Sequence, residues 1–93
     1  LVLHLEATSQ FRKDYKLMKK RGLNLRLLED VLDKLIREEP LETRHRDHAL
    51  TGNYRGLREC HIQPDWLLIY AIDKGRLILT ASRTGSHADL FKM

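Results

Sequence analysis

Cysteine is almost missing from this 93-residue chain: Cys60 stands alone. Without a second thiol no internal disulfide can form, so a reduced, cytoplasmic setting is the expectation. No apolar run approaches the roughly 20 residues that cross a bilayer. Leu1 to Glu6 is too short and too alternating to serve as a signal peptide, so no membrane partner is expected. A glycine-rich phosphate loop, a Ser/His/Asp arrangement and a dinucleotide fingerprint are also missing, and no cofactor is indicated. No repeat, low-complexity tract or linker divides the chain. Its length suits one core and not two, so a single domain over residues 1–93 is expected. With 42% hydrophobic and 32% charged residues, the composition excludes both a disordered tail and a membrane protein.

What is present in excess is positive charge. Seventeen Lys and Arg against thirteen Asp and Glu give a net charge of +4. The distribution matters more than the sum, because Arg12, Lys13, Lys16, Lys19, Lys20 and Arg21 fall within ten residues. Such a run can hold a polyanion such as RNA, and reads equally well as the solvated face of a helix.

Residues 1–6 alternate Leu1, Leu3 and Leu5 against Val2, His4 and Glu6, the period of a half-buried strand. Thr8 or Ser9 then caps a helix in which Phe11, Tyr15 and Met18 recur at helical spacing, and Gly22 ends it. A second helix carries a wide apolar stripe of Leu25, Leu28, Val31, Leu32, Leu35 and Ile36, and Pro40 stops it. Leu41 to Gly52 reads as a polar connection holding His45, Arg46, Asp47 and His48. From Tyr54 the period changes to two. Tyr54 to Ile62, Trp66 to Ile72 and Arg76 to Arg83 read as strands joined by a Gln63-Pro64-Asp65 turn and an Asp73-Lys74-Gly75 hairpin. The middle strand is apolar on both faces and should be central. The expectation is an α+β domain in the order β-α-α-β-β-β, a four-stranded, mostly antiparallel sheet with a helical hairpin on one face.

Alternation along Tyr54 to Ile62 sends Cys60 and Ile62 to one side and His61 to the other. The tight turn starts the next strand, with Asp65 and Trp66, beside His61. Hairpin logic then brings the end of the last strand to the same end of the sheet, with its closing segment Arg83-Thr84-Gly85-Ser86-His87-Ala88-Asp89-Leu90-Phe91-Lys92-Met93. Together with His48, these pieces suggest an acid/base centre acting on RNA phosphodiesters. Cleaving RNA by its own 2′-hydroxyl needs a base for that hydroxyl, an acid for the leaving 5′-oxygen, and positive charge at the phosphate. Histidine serves either proton-transfer role near neutrality. Asp65 can act as base or fix a histidine tautomer, Arg83 can hold the phosphate through paired N–H donors, and Trp66 or Phe91 can stack on a base. Each has a plainer reading: Trp66 as core or rim, Phe91 docked back on the core, His4 and His45 as structural or solvent-facing. Cys60 reads as a small buried hydrophobe. His61, Asp65 and His87 could also ligate zinc, although their spacing matches none of the usual structural patterns.

The same residues carry a family resemblance. The element order, the phrase His61-Ile62-Gln63-Pro64-Asp65-Trp66-Leu67-Leu68-Ile69-Tyr70, the earlier Asp47-His48-Ala49-Leu50-Thr51-Gly52 and the closing Arg83 to Phe91 together resemble the YafQ branch of the RelE/ParE toxin superfamily. The resemblance implies a bacterial type II toxin, a ribosome-dependent endoribonuclease that cuts translated mRNA in the A site and so inhibits translation. It places catalytic positions on His48, His61, Asp65 and His87 and supporting roles on Trp66, Arg83 and Phe91; the motifs leave the division of acid and base among the four open, with His87 the favoured general acid. It further implies a cognate antitoxin, with the 70S ribosome and mRNA as the other partners. Lys13, Lys16, Lys19 and Lys20 of the basic helix would then meet ribosomal RNA. Two rivals come from other classes: a non-enzymatic inhibitor of DNA gyrase with the same fold, resembling the ParE branch, and a plain RNA-binding module.

Overall fold

The computed structural model describes residues 2–91. Leu1 of the expected first strand, and Lys92 and Met93 of the closing segment, lie outside the described residues. The elements run β1 (His4–Ala7), α1 (Ser9–Lys20), α2 (Leu25–Ile36), β2 (His48–Ala49), β3 (Arg58–Gln63), β4 (Trp66–Asp73), β5 (Ile78–Gly85) and α3 (His87–Phe91), with 3-10 turns at Thr43–His45 and Gly52–Tyr54. The sheet order is β1-β5-β4-β3-β2; β1 pairs parallel with β5 and the other pairs are antiparallel. The apolar strand β4 is central, as its two-sided apolar pattern requires.

Two elements depart from expectation. The sheet has five strands and not four, because His48 and Ala49 pair with Glu59 and Arg58 inside what reads as a polar connection. The closing segment is not a bare tail either: β5 continues past Arg83 to Gly85, and residues 87–91 form a third helix. Boundaries shift where backbone conformation overrules pattern. Residues 52–54 coil into a 3-10 turn and Gly56 takes φ +91°, so the strand expected from Tyr54 begins at Arg58. Likewise α2 ends before Pro40, since Glu38 adopts φ +56° and its N–H returns to Leu35 O at 3.1 Å.

Helix α1 starts where Thr8 Oγ1 accepts the Phe11 N–H at 2.9 Å, a cap worth about 1 kcal/mol. Thr8 also ties that helix start to β5, donating its hydroxyl to Ser82 O at 2.8 Å and its N–H to Ala81 O at 3.1 Å. Gly22, at φ +80°, closes α1 without the steric cost a side chain would meet there. The stripe Leu28, Val31, Leu32 and Leu35 of α2 is buried against Cys60, Ile62, Trp66, Leu68 and Tyr70. Full burial of one such leucine contributes about 1.5 to 3 kcal/mol. On the opposite face of the sheet lies a smaller cluster, in which Leu67 and Ile69 of β4 meet Leu90 of α3, with Leu50, Leu57 and Phe91 around them. The helical hairpin therefore covers one face, and the other face is left to a five-residue helix and the histidines.

Candidate active site

Strand β3 sets the site. Cys60 and Ile62 point into the core under α2, so alternation turns Glu59 and His61 to the other face. Between His61 and Gln63 the pairing with β4 shifts by one residue, and this bulge bends the strand beside the turn that carries Asp65. Strand β2 brings His48 directly opposite Glu59. Helix α3 supplies His87 from the end of β5.

The contacts form a chain. Asp65 Oδ1 accepts both the backbone N–H of His87 at 3.0 Å and its ring Nδ1–H at 2.6 Å. These two donors, the backbone one foremost, hold the Asp65 carboxyl below its usual range. The rings of His87 and His61 lie 5.8 Å apart at 60°. Beyond them, Glu59 Oε1 stands 3.7 Å from His61 Nε2 and 3.6 Å from His48 Nε2. Carbonyl oxygens fix the other edge of both rings: His61 Nδ1 donates to Pro64 O at 3.2 Å and His48 Nδ1 to Arg46 O at 2.6 Å. All three imidazoles thus commit Nδ1 to an oxygen, which makes Nε2 the nitrogen that can exchange a proton, with Glu59 beside that of His48 and of His61. His87 is 37% exposed and His61 13%, so His87 is open to solvent and His61 lies largely covered beside it.

The helix α3 is held from the other side as well. Asp89 takes two hydrogen bonds from the Arg21 guanidinium, at 2.6 and 2.9 Å, and accepts the Ser86 N–H and hydroxyl, each at 2.9 Å. Arg21 first, and then these Ser86 donors, hold the Asp89 carboxyl far below its usual range. Gly85 makes room for this arrangement: a Cβ there would stand 2.9 Å from that of Asp89, closer than real Cβ contacts.

Other expected site residues sit differently. Trp66 is 2% exposed and donates its indole N–H to Thr84 Oγ1 at 2.9 Å, so it is a core residue and cannot stack on a base. Arg83 turns Nε and Nη2 to Asp14, at 2.7 and 3.3 Å, so one edge of its guanidinium is engaged there while the Nη1/Nη2 edge keeps donors for a phosphate. Phe91 is half-buried, edge-on to Tyr54 with ring centroids 5.6 Å apart. Lys13, Lys16, Lys19 and Lys20 are all exposed on α1, and none makes an ion pair among the described residues. His45 is structural: it is buried, and its Nδ1 donates to His61 O at 2.6 Å. His4 is exposed on the edge strand. Burial pushes the Cys60 thiol up to about 12, which removes it as a nucleophile.

Glu59 and Tyr54 are absent from the sequence-derived site. For Glu59 the signal was there, since alternation puts it on the face of His61, but its second partner His48 depends on a two-residue strand that no periodicity reveals. A groove of about 640 Å³ runs between α2 and the Thr43–His45 turn, and none of the four candidate catalytic side chains lines it. Among the described residues no three His, Cys, Asp or Glu side chains are placed to hold a metal ion.

Residues 3–92 match the family model described as "Bacterial toxin of type II toxin-antitoxin system, YafQ". The chain is 40% identical over 89 residues to the mRNA interferase toxin YafQ of Escherichia coli strain K12, covering 94% of each. Among solved structures it is similar to a chain in the E. coli DinJ-YafQ toxin-antitoxin complex, with a TM-score of 0.88, 37% identity and coverage of 98% and 99%. It is also similar to a metal-bound toxin from Helicobacter pylori, with a TM-score of 0.90, 41% identity and coverage of 98% and 100%. The zinc set His61, Asp65 and His87 does not converge in the present chain, because Asp65 is engaged with the His87 Nδ1 at 2.6 Å and His61 turns its Nδ1 to Pro64 O.

Proposed function

The chain belongs to the YafQ family of bacterial type II toxins, and we propose that it is an mRNA interferase, a ribosome-dependent endoribonuclease that cuts translated mRNA in the ribosomal A site. One observation supports this reading above the others: Asp65 fixes the His87 ring with Nε2 outward, 5.8 Å from the ring of His61. At that spacing the two rings are near neighbours on one face, so a phosphodiester lying over them can meet a base at one oxygen and an acid at another.

In this scheme His61, with His48 beside it, takes the proton of the 2′-hydroxyl. The 2′-oxygen attacks phosphorus as the bond from phosphorus to the 5′-oxygen breaks, and His87 delivers its Nε2 proton to that leaving oxygen. The products are a 2′,3′-cyclic phosphate and a 5′-hydroxyl end. Asp65 holds His87 in the tautomer that aims Nε2 at the substrate and offsets its charge while the acid is protonated. Phe91 and Tyr54, paired edge to face, offer the aromatic surface for a base that Trp66 does not. The toxin domain spans residues 1–93, and Lys13, Lys16, Lys19 and Lys20 seat it on ribosomal RNA. As with the E. coli relative solved with DinJ, a cognate antitoxin neutralises it. No helix among the described residues is long and apolar enough to cross a membrane; a toxin that acts on ribosomes works in the cytoplasm.

Replacing His87 by Ala should lower single-turnover cleavage of ribosome-bound mRNA by about 10²- to 10⁴-fold, the usual worth of a general acid, with ribosome binding retained. A His87→Ala chain that cuts and inhibits growth like the wild type contradicts the assignment.

A further inference from the structure

Glu59 has no part in the scheme above, yet its side chain is only 8% exposed and its sole ionic partners among the described residues are His48 and His61. The protons of the two rings are constrained. Each Nδ1 donates to a carbonyl, Arg46 O for His48 and Pro64 O for His61, so a neutral ring at either place presents a bare Nε2. Both Nε2 atoms face the same oxygen, Glu59 Oε1, at 3.6 and 3.7 Å. Two lone pairs turned to one carboxylate oxygen repel it, and the covered Glu59 side chain has little water of its own to relieve them. One proton on either Nε2 converts the repulsion into an N–H donor facing a carboxylate, and a second ring can then remain neutral.

Among the described residues the nearest other charges, Arg58 and Asp47, are paired with each other at 3.3 Å. His48 reaches Glu59 from β2, His61 lies two residues along β3 on the same face, and across the sheet Glu59 is paired with apolar Ile69 of β4. Beyond His61 come only the His87 ring on α3 and, behind it, Asp65.

From this geometry we infer that Glu59 is a positioning residue that joins His48 and His61 into one unit sharing a single proton. The consequence rests on the mRNA interferase reading. While one ring is neutral and takes the 2′-hydroxyl proton, its partner is an imidazolium beside the scissile phosphate. That charge adds to what Arg83 can offer, since Asp14 already holds one edge of its guanidinium. Glu59 itself touches no reacting atom; it supplies the counter-charge that lets one ring be cationic and the other basic at the same pH.

The test compares wild type with Glu59→Gln and Glu59→Asp, following the His48 and His61 ring protons by NMR from acid to alkaline pH. In the wild type both rings should respond to the same protonation step, as one coupled pair. In Glu59→Gln the two rings should respond independently of one another, since the group that joins them has lost its charge. Single-turnover cleavage on ribosomes should fall by about 10-fold or more with KM unchanged, and Glu59→Asp should restore most of both signals. Rings that titrate alike in wild type and Glu59→Gln overturn the inference, and so does altered titration with cleavage unchanged. A wild-type chain that fails to cut mRNA contradicts the nuclease reading instead, while the NMR comparison still decides whether Glu59 couples the rings.

Discussion

His61 and Trp66 lie only five positions apart, yet one was legible from pattern and the other was not. The alternation of β3 turns His61 away from the core whatever its neighbours are, because Cys60 and Ile62 on either side are buried. For Trp66 the deciding fact is a partner 18 residues away, the Thr84 hydroxyl that accepts its indole N–H and in turn donates to Leu67 O at 2.7 Å. Local pattern holds no trace of that partner. The same holds for Arg83, whose ion pair with the buried Asp14 spans 69 positions; the Asp14 carboxylate also takes the Thr84 N–H at 3.2 Å, just past the end of β1. Trp66→Phe should accordingly destabilise the fold by about 1 to 3 kcal/mol, through the lost hydrogen bond and the lost volume, and leave the cleavage rate of the folded protein unchanged. Urea denaturation and single-turnover kinetics on the same variant check this. Intact stability with lost cleavage would return Trp66 to the substrate site.

At the scale of elements, the long, strongly periodic segments were legible and the short ones were not. The helix α1 begins at Thr8 and β4 is central because caps, stripes and two-sided apolar runs are local signals. A strand of two residues and a helix of five carry no period, and both are held by contacts from distant positions. Helix α3 shows the dependence most clearly. Asp65 receives the N–H groups of His87, Asp89 receives Arg21 and Ser86, and both carboxyls are held below their ordinary range by those donors. Above the ordinary carboxylate value of about 4 the hold is complete, because both groups are charged in the folded and unfolded chain alike. As pH falls through that value the unfolded chain takes up protons first, so the contribution shrinks and disappears below the lowered folded values. Hydrogen exchange should therefore show protection of the Leu90 amide, which donates to Ser86 O, declining between roughly pH 4 and 2 while β4 amides stay protected. Equal protection across that range would mean that the carboxylates do not hold α3.

Across the whole molecule the two faces of the sheet divide the work. One is packed under α1 and α2 and supplies most of the apolar core, and the other presents the imidazoles on a smaller cluster built around Leu67, Ile69 and Leu90. The outer face of α1 carries exposed lysines, a sequence feature visible from charge spacing alone, although spacing could not distinguish a binding face from a solvated one. Replacing Lys16, Lys19 and Lys20 by Glu should weaken ribosome association by at least 10-fold at low salt and flatten its salt dependence, while leaving the fold intact. Unchanged binding across a salt series would remove α1 from the interface. The central claim is that this His/Asp cluster cuts mRNA during translation, and mapping transcript 5′ ends after brief induction tests it most directly. The account predicts new 5′-hydroxyl ends inside translated regions, in register with the reading frame, and their loss in His87→Ala. Ends that ignore the frame, or that persist in His87→Ala, would contradict it.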